Sequence, residues 1–409
     1  MYTKARRLLA AAVIAAAGAF AVGCGGDDGG GGASDKTIGV MVSAPLSGDS
    51  AETGRDMLHG AELAAEYINE QGGIADGPMK GAKLKVTGGD DAMSTKGALA
   101  VASKFVQDQN QWILTGFLDT GMTLAAAQVA KRQNLPVISS FACGVQLEEF
   151  ENVAIQCPKL AGIGAVASHF AAEKLGAKSA AIITHTEPFV PDYLKGIQDE
   201  AKKVGMKITT IQRYKLGSTT DFSALVQNMK ATNPDVVISL AYQADAGRIL
   251  STMRRSGFNV PFVDALAEGW EKAFFGAAGS ALTKGDGAYC QYLGDKFPEP
   301  GSLMDKMNKR FQEKYGKAMP TSAAYVFDSV LSGAQAIAGG AESRDQVSKH
   351  WDAVSGEGIT GKLGYGEGTR VSGASLTMAK ITGTRVTDIE RAALYEVEGE
   401  EARPASESE

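Results

Sequence analysis

The feature that most constrains the fold is residues 111–144, QWILTGFLDTGMTLAAAQVAKRQNLPVISSFACG, which read as a strand, a helix and a second strand. The apolar run 112–117 suits a strand buried on both faces, as in a parallel sheet. Residues 115–123 turn the chain into a helix that runs through Leu124, Ala127, Val129 and Ala130 to Asn134, and Pro136 opens the next strand, 137–140. Thr120 stands where it can cap that helix. The N–H groups of Gly121 and Met122 would then be left to meet an anion, favoured by the helix dipole. Phe141, Ala142 and Cys143 arrive beside Thr120 at the end of the second strand, and ligands of open parallel sheets sit outside the carboxyl ends of strands. An ordinary βαβ unit with no site reads the same way from this stretch alone.

The same grammar runs through the chain from Lys36. Strand patterns fall at 37–42, 83–87, 112–117, 137–140 and 153–156, and after Pro158 at 179–184, 206–214, 235–241 and 260–263. Helical patterns lie between them, several closed by glycine, such as Gly176, Gly205 and Gly257. Strands separated by helices of this length argue for two parallel α/β sheets, each doubly wound. One more strand follows at 288–293, then helices at 301–315, 321–338 and 344–354, then a β-rich segment at 359–397. Two consecutive domains would not need that late return. A chain crossing between domains near Cys157, Asp286 and Gly356 would use it to complete each of them.

The amino terminus is an export signal: Lys4, Arg6 and Arg7, then the apolar run 8–21, then small residues to Gly23. That run is shorter than the roughly 20 apolar residues a membrane-spanning helix needs. Residues 21–24, Ala-Val-Gly-Cys, resemble the lipobox of bacterial lipoproteins, with Ala where Leu is usual, so Cys24 is expected to carry the lipid. A plainly secreted chain is the alternative. Residues 24–35 are then a glycine-rich tether. Of the formal net charge of −6, the signal contributes +3 and the tail, 396–409, −5. Without a basic stripe, nucleic acid and anionic lipid surfaces are not expected partners, and the tail at 398–409 reads as solvated and disordered.

Six segments in order carry a resemblance to a known family: PLSG at 45–48, HGAELAAEYINEQGGI at 59–74, DDAMSTKGALAVASKFV at 90–106, NLPVISSFA at 134–142, AAIIT at 180–184 and TTDFSALVQNMKATNPDVV at 219–237. Together they resemble the leucine/isoleucine/valine-type periplasmic binding proteins, the type I substrate-binding fold that serves ATP-driven importers. The resemblance implies an α/β fold of two doubly wound parallel-sheet lobes joined by a three-strand hinge, with the ligand in the cleft. Lobe 1 would comprise 36–157 and 287–355, and lobe 2 158–286 and 356–397.

It also implies a site. Thr120, with Gly121 beside it, matches the hydroxyl that holds the ligand carboxylate, and Phe141, Ala142 and Cys143 match the second carboxylate loop. Cys143 replaces a hydroxyl there, leaving backbone groups and a weak S–H. Thr53, Phe189 and Tyr242 fall where the family has aromatic walls, and Thr53 loses that surface. Glu268 matches the acidic partner of a ligand ammonium, with Asp264 as a rival. Met93 and Asp119 occupy the positions of the family's disulfide, which is therefore absent. Cys143 and Cys157, on or just after neighbouring strands, are a possible pair in an oxidising compartment; three free thiols are the other reading, and Cys290 is expected to be buried.

Enzyme readings lack an inventory. The four histidines, His59, His169, His185 and His350, have no metal-ligand spacing. Neither a G-x-S-x-G elbow nor a GxxxxGK[ST] loop is present. The expectation is a monomeric, lipid-anchored, extracytoplasmic solute-binding protein on the outer face of the cytoplasmic membrane. It would have no metal or other cofactor, would capture an apolar or aromatic amino acid or related small carboxylate, and would deliver it to the permease of an ABC importer. The alternative is the ligand-sensing module of a signalling system.

Overall fold

The computed structural model describes residues 36–48, 50–187, 189–266, 271–365 and 370–405. The signal, the tether with Cys24, the ammonium-partner candidate Glu268 and the tail end 406–409 lie outside the described residues.

The first half alternates strand and helix as β1 (Thr37–Ala44), α1 (Ala51–Glu70), β2 (Lys83–Asp90), α2 (Thr95–Gln107), β3 (Gln111–Gly116), α3 (Thr120–Lys131), β4 (Val137–Ser139) and β5 (Val153–Ile155). Its strands form an all-parallel sheet in the order β2-β1-β3-β4-β5. Residues alternate between its faces with the strand period of two. Val40, Ile113 and Ile138 join the core under α1, while Met41, Leu114 and Val137 join the core under α2 and α3. Covering both faces explains why these strands read as continuous apolar runs.

The second half repeats the arrangement: α4 (Leu160–Glu173), β6 (Ser179–Thr184), α5 (Val190–Lys203), β7 (Lys207–Arg213), α6 (Ser223–Ala231), β8 (Val236–Leu240), α7 (Gln243–Arg255), β9 (Phe262–Asp264), α8 (Glu271–Ala278) and β10 (Ala288–Leu293). Strands β7-β6-β8-β9-β10 are parallel in the same relative order as the first sheet. Here Ile182 and Ile238 face the core under α4 and α5, and Ala181, Ile183 and Val237 face the core under α6, α7 and α8. Glycines bring α4 and α5 into close approach, since a Cβ at Gly196 would lie 1.8 Å from the Ala161 carbonyl oxygen.

The remaining elements complete both sheets. Helices α9 (Leu303–Tyr315) and α10 (Thr321–Ala338) return to the first, where Phe311, Phe327 and Val330 share a core with α1. The hairpin of β11 (Ser355–Glu357) and β12 (Lys362–Gly364) follows, and β13 (Ala374–Ile381), β14 (Ile389–Glu398) and β15 (Glu401–Pro404) extend the second sheet antiparallel from β10.

Four expectations are corrected. The strand at 288–293 belongs to the second sheet, not to the first lobe, because β10 pairs with β9 and β13. The return to the second lobe comes later than Gly356, since Ile359 and Leu363 are buried in the first core. The expected disordered tail contains β15, which pairs with β14 and buries Ala402 in the second core. The helix expected at 344–354 is a 3₁₀ segment, Val347–Ala353, broken at His350 by non-helical dihedrals.

The chain crosses between the sheets after β5, after β10 and after β12. The first and third crossings pair side by side: Ile155 N–H donates to Arg370 O (2.7 Å) and Ser372 N–H to Ile155 O (2.8 Å). Gln156 Nε2 donates to Ser372 Oγ (3.1 Å) and accepts from Ser332 Oγ of α10 (3.0 Å) through its Oε1. Gly294 N–H, on the second crossing, donates to Ser375 O (2.7 Å). Asp328 of α10, wholly buried, accepts from Ile359 N–H (2.9 Å), Thr360 N–H (2.8 Å) and Thr360 Oγ1 (2.6 Å). These bonds fasten the segment that leads into the third crossing to the first lobe.

Candidate functional site

In the strand order 2-1-3-4-5 the chain reverses direction of winding between the first and third strands, and the loops leaving those two strands diverge to leave a crevice. Both sheets have that order. In the first, the crevice loops are the one after β1, beginning at Pro45, and the one after β3, leading to Thr120. In the second they are the loops after β6, carrying His185 and Phe189, and after β8, carrying Tyr242. Two crossings leave from the carboxyl ends of β5 and β10, so both crevices open on the crossover side.

The first crevice is stiffened from below. Asp90 accepts from the N–H groups of Leu46 (2.9 Å) and Ala92 (2.9 Å), and its hydrogen bonds, that from Ser47 foremost, hold its carboxyl below the usual range. A Cβ at Gly54 would lie 1.9 Å from Pro45 O, so the loop after β1 rests directly on α1. Thr53 stands half-buried on the exposed end of that helix, with no aromatic surface.

Helix α3 is capped by Asp119, not by Thr120. Asp119 has extended dihedrals and its Oδ1 accepts the Met122 N–H (3.1 Å), a geometry that favours Asp at the position before the first helical residue. Met122 N–H is thereby taken, and Thr120 sits in the first turn with the exposed Gly121 after it. Thr120 does meet the second loop: a Cβ at Gly144 would lie 2.4 Å from Thr120 Cγ2 and 2.9 Å from its Oγ1.

That loop is held by Ser139 Oγ, which donates to Ala142 O (2.8 Å), and by a disulfide between Cys143 and Cys157 with Cα atoms 5.4 Å apart. Cys143 therefore has no S–H to offer, and its backbone groups are what remain. Ala142 is buried and Phe141 half-buried, its ring edge-on to Tyr325 at 5.3 Å between centroids. Tyr325, at the start of α10, has a buried hydroxyl with no partner among the described residues. Nothing in the sequence pointed to it, because its helix lies nearly 200 residues further along the chain.

The second crevice is an aromatic cluster. Tyr242 stacks on His185 at 4.7 Å between centroids and 12° between planes, and Phe189 meets both edge-on, at 5.4 Å from His185 and 6.1 Å from Tyr242. Phe189 and Tyr242 are half-buried, whereas His185 is completely buried. His185 Nδ1 accepts the Glu187 N–H (3.3 Å), and burial pushes the imidazole pKa down to about 4. Tyr214 lies edge-on behind the histidine, its phenol raised by burial and by the neighbouring Asp245 and Asp264. Asp264 ends β9, next to Ser239 in the register. Among the described residues no three His, Cys, Asp or Glu groups are placed to hold a metal ion.

The profile described as periplasmic binding protein matches residues 37–385. The chain belongs to that family. Among its relatives, the Leu/Ile/Val-binding protein of Citrobacter freundii is 27% identical over 336 residues, 81% of this chain and 87% of the relative. The Leu/Ile/Val-binding protein homolog 1 of Brucella suis is 29% identical over 236 residues, 56% of this chain. The chain spans about 60% of the length of the Brucella relatives it matches. Among solved structures, the branched-chain amino acid transporter substrate binding protein LivJ of Streptococcus pneumoniae, in complex with isoleucine, has a TM-score of 0.69. It is 25% identical, over 87% of this chain and 99% of the other. This member of the periplasmic binding protein family thus has the type I α/β fold that its own strand order shows.

Proposed function

We propose that the chain is the solute-binding lipoprotein of an ABC importer, taking an apolar or aromatic amino acid, or a related small carboxylate, between two lobes outside the cell and delivering it to the permease. The observation that carries this reading is the pairing of two crevices of identical topology. One offers the Thr120 hydroxyl, the N–H of Gly121 and the backbone of residues 141–143; the other offers the Phe189 and Tyr242 rings. A carboxylate suits the first, since the start of a helix favours negative charge. An apolar or aromatic body suits the second. Glu268 is the proposed counter-charge for an ammonium, with Asp264 as the alternative. The names of the relatives favour a branched-chain amino acid within this class.

Contacts from both lobes make ligand binding a closing motion, because only the closed state gains both sets. Solution scattering with saturating leucine, phenylalanine or 4-hydroxybenzoate is expected to give a smaller radius of gyration with at least one of them. A ligand that binds tightly and leaves the radius unchanged counts against the two-lobed clamp. For the proposed anchor, Cys24→Ser is expected to move the protein from the membrane fraction into the medium or periplasm with ligand affinity intact; retention in the membrane contradicts it.

A further inference from the structure

The second crevice holds more polar chemistry than an aliphatic side chain can use. Among the described residues, the buried His185 Nε2 has no hydrogen-bond partner, and neither has the buried Ser239 Oγ. Native proteins leave few buried polar atoms unpaired, and those that remain call for an explanation. The two residues stand at the carboxyl ends of the adjacent strands β6 and β8. Ser239 lies opposite Ile183 in the β6–β8 register, one residue before the end of β8, and His185 directly follows Thr184, the last residue of β6. Tyr214 joins them, its N–H donating to Thr184 O (2.9 Å). The half-buried rings of Phe189 and Tyr242 stand against His185.

The state of the histidine follows from the bond at Nδ1. Nδ1 accepts an N–H and so carries no proton; the neutral ring must carry its proton on Nε2. Nε2–H is then a buried donor without an acceptor among the described residues, while Ser239 Oγ can donate or accept. Leucine, isoleucine and valine have no side-chain atom for either group.

Resting on the reading of the cleft as a carboxylate site, we propose that the ligand carries at its far end a hydroxyl or carbonyl oxygen, received by His185 Nε2–H and Ser239 Oγ behind the Phe189 and Tyr242 rings. The substrate class is then a hydroxylated or oxo-substituted aromatic carboxylate. A site built to hydrogen-bond a hydroxyl discriminates against the analogue lacking it, whose binding would leave buried polar groups unpaired.

Calorimetric titration of the purified protein with matched pairs, 4-hydroxybenzoate against benzoate and tyrosine against phenylalanine, tests this. The hydroxylated member of at least one pair is expected to bind about 10- to 100-fold more tightly. His185→Phe keeps a ring against Tyr242 and removes the donor; it should abolish the preference for the hydroxylated member of the pair. Ser239→Ala, a smaller change, should reduce the preference and guards against a His185→Phe protein that does not fold. Equal binding of both members by the parent, or a preference that survives both substitutions, overturns the polar subsite and leaves the carboxylate reading standing. Failure of the parent to bind any of the four compounds, or leucine, overturns both.

Discussion

Asp328→Ala is expected to destabilise the protein by about 4 kcal/mol, read as a lower urea midpoint with little change in slope. The carboxylate is wholly buried and accepts three hydrogen bonds, from Ile359 N–H, Thr360 N–H and Thr360 Oγ1. Its removal leaves three donors without acceptors in a place that water does not reach, and each such group costs about 1 to 3 kcal/mol. Asp328→Asn keeps the shape and one acceptor oxygen and should cost less than half as much. Thr360→Val removes a single donor together with its hydroxyl and should cost about 1 kcal/mol. If Asp328→Ala is as mild as Thr360→Val, the tie between α10 and the segment entering the third crossing contributes little, and that part of the account is wrong.

The second large effect is on the pH dependence of stability, through His185. Burial lowers its folded pKa from 6.5 to about 4. The unfolded chain binds a proton at His185 between those values and the folded chain does not, so the stability contributed above pH 6.5 is lost as pH falls toward 4. The full difference is about 3 kcal/mol. Asp328 runs the other way: burial is the main cause that raises its carboxyl to about 6, so its contribution is present below 3.8 and lost as pH rises through 6. The two overlap, and the parent's own curve mixes them. The difference between parent and His185→Phe isolates the histidine, because Asp328 is common to both. Denaturant titrations should find the parent losing about 3 kcal/mol relative to His185→Phe from pH 7 to pH 4. A constant difference across that range would mean that the imidazole titrates normally and is not sealed in.

What the sequence made legible is what depends on local period. Alternation of apolar runs with helical patterns gave the βα units, because strands covered on both faces must be apolar throughout, as Ile113 and Leu114 are. Strand order is a tertiary property. The position of β10 in the second sheet rests on its pairing with β9 and β13, and nothing within residues 288–293 records it. Strand β15 was hidden for a different reason. Glu401 and Arg403 face solvent at the sheet edge while Ala402 is buried, and charged edge strands read like solvated tails. At the site, Thr120 and the residues 141–143 were legible as loop ends, but the cap was misplaced by one residue, since Asp119 and Thr120 both suit that position. His185 was visible only as a histidine without metal spacing. Its significance comes from its stack on Tyr242 and its unpaired Nε2, and both arise only when β6 and β8 lie side by side.

The central claim is that the two crevices bind one small molecule carrying a carboxylate. A thermal-shift screen of amino acids, aromatic acids, sugars and polyols, run on the parent and on Thr120→Val, tests it most directly. A ligand present at about 1,000 times its Kd stabilises by about 4.1 kcal/mol, a shift on the order of 10 °C for domains of this size. The account predicts such a shift from one or more carboxylates and from no sugar or polyol, with Thr120→Val weakening the effective carboxylate. Shifts confined to sugars or polyols, or a Thr120→Val protein that binds the carboxylate as tightly as the parent, would contradict it.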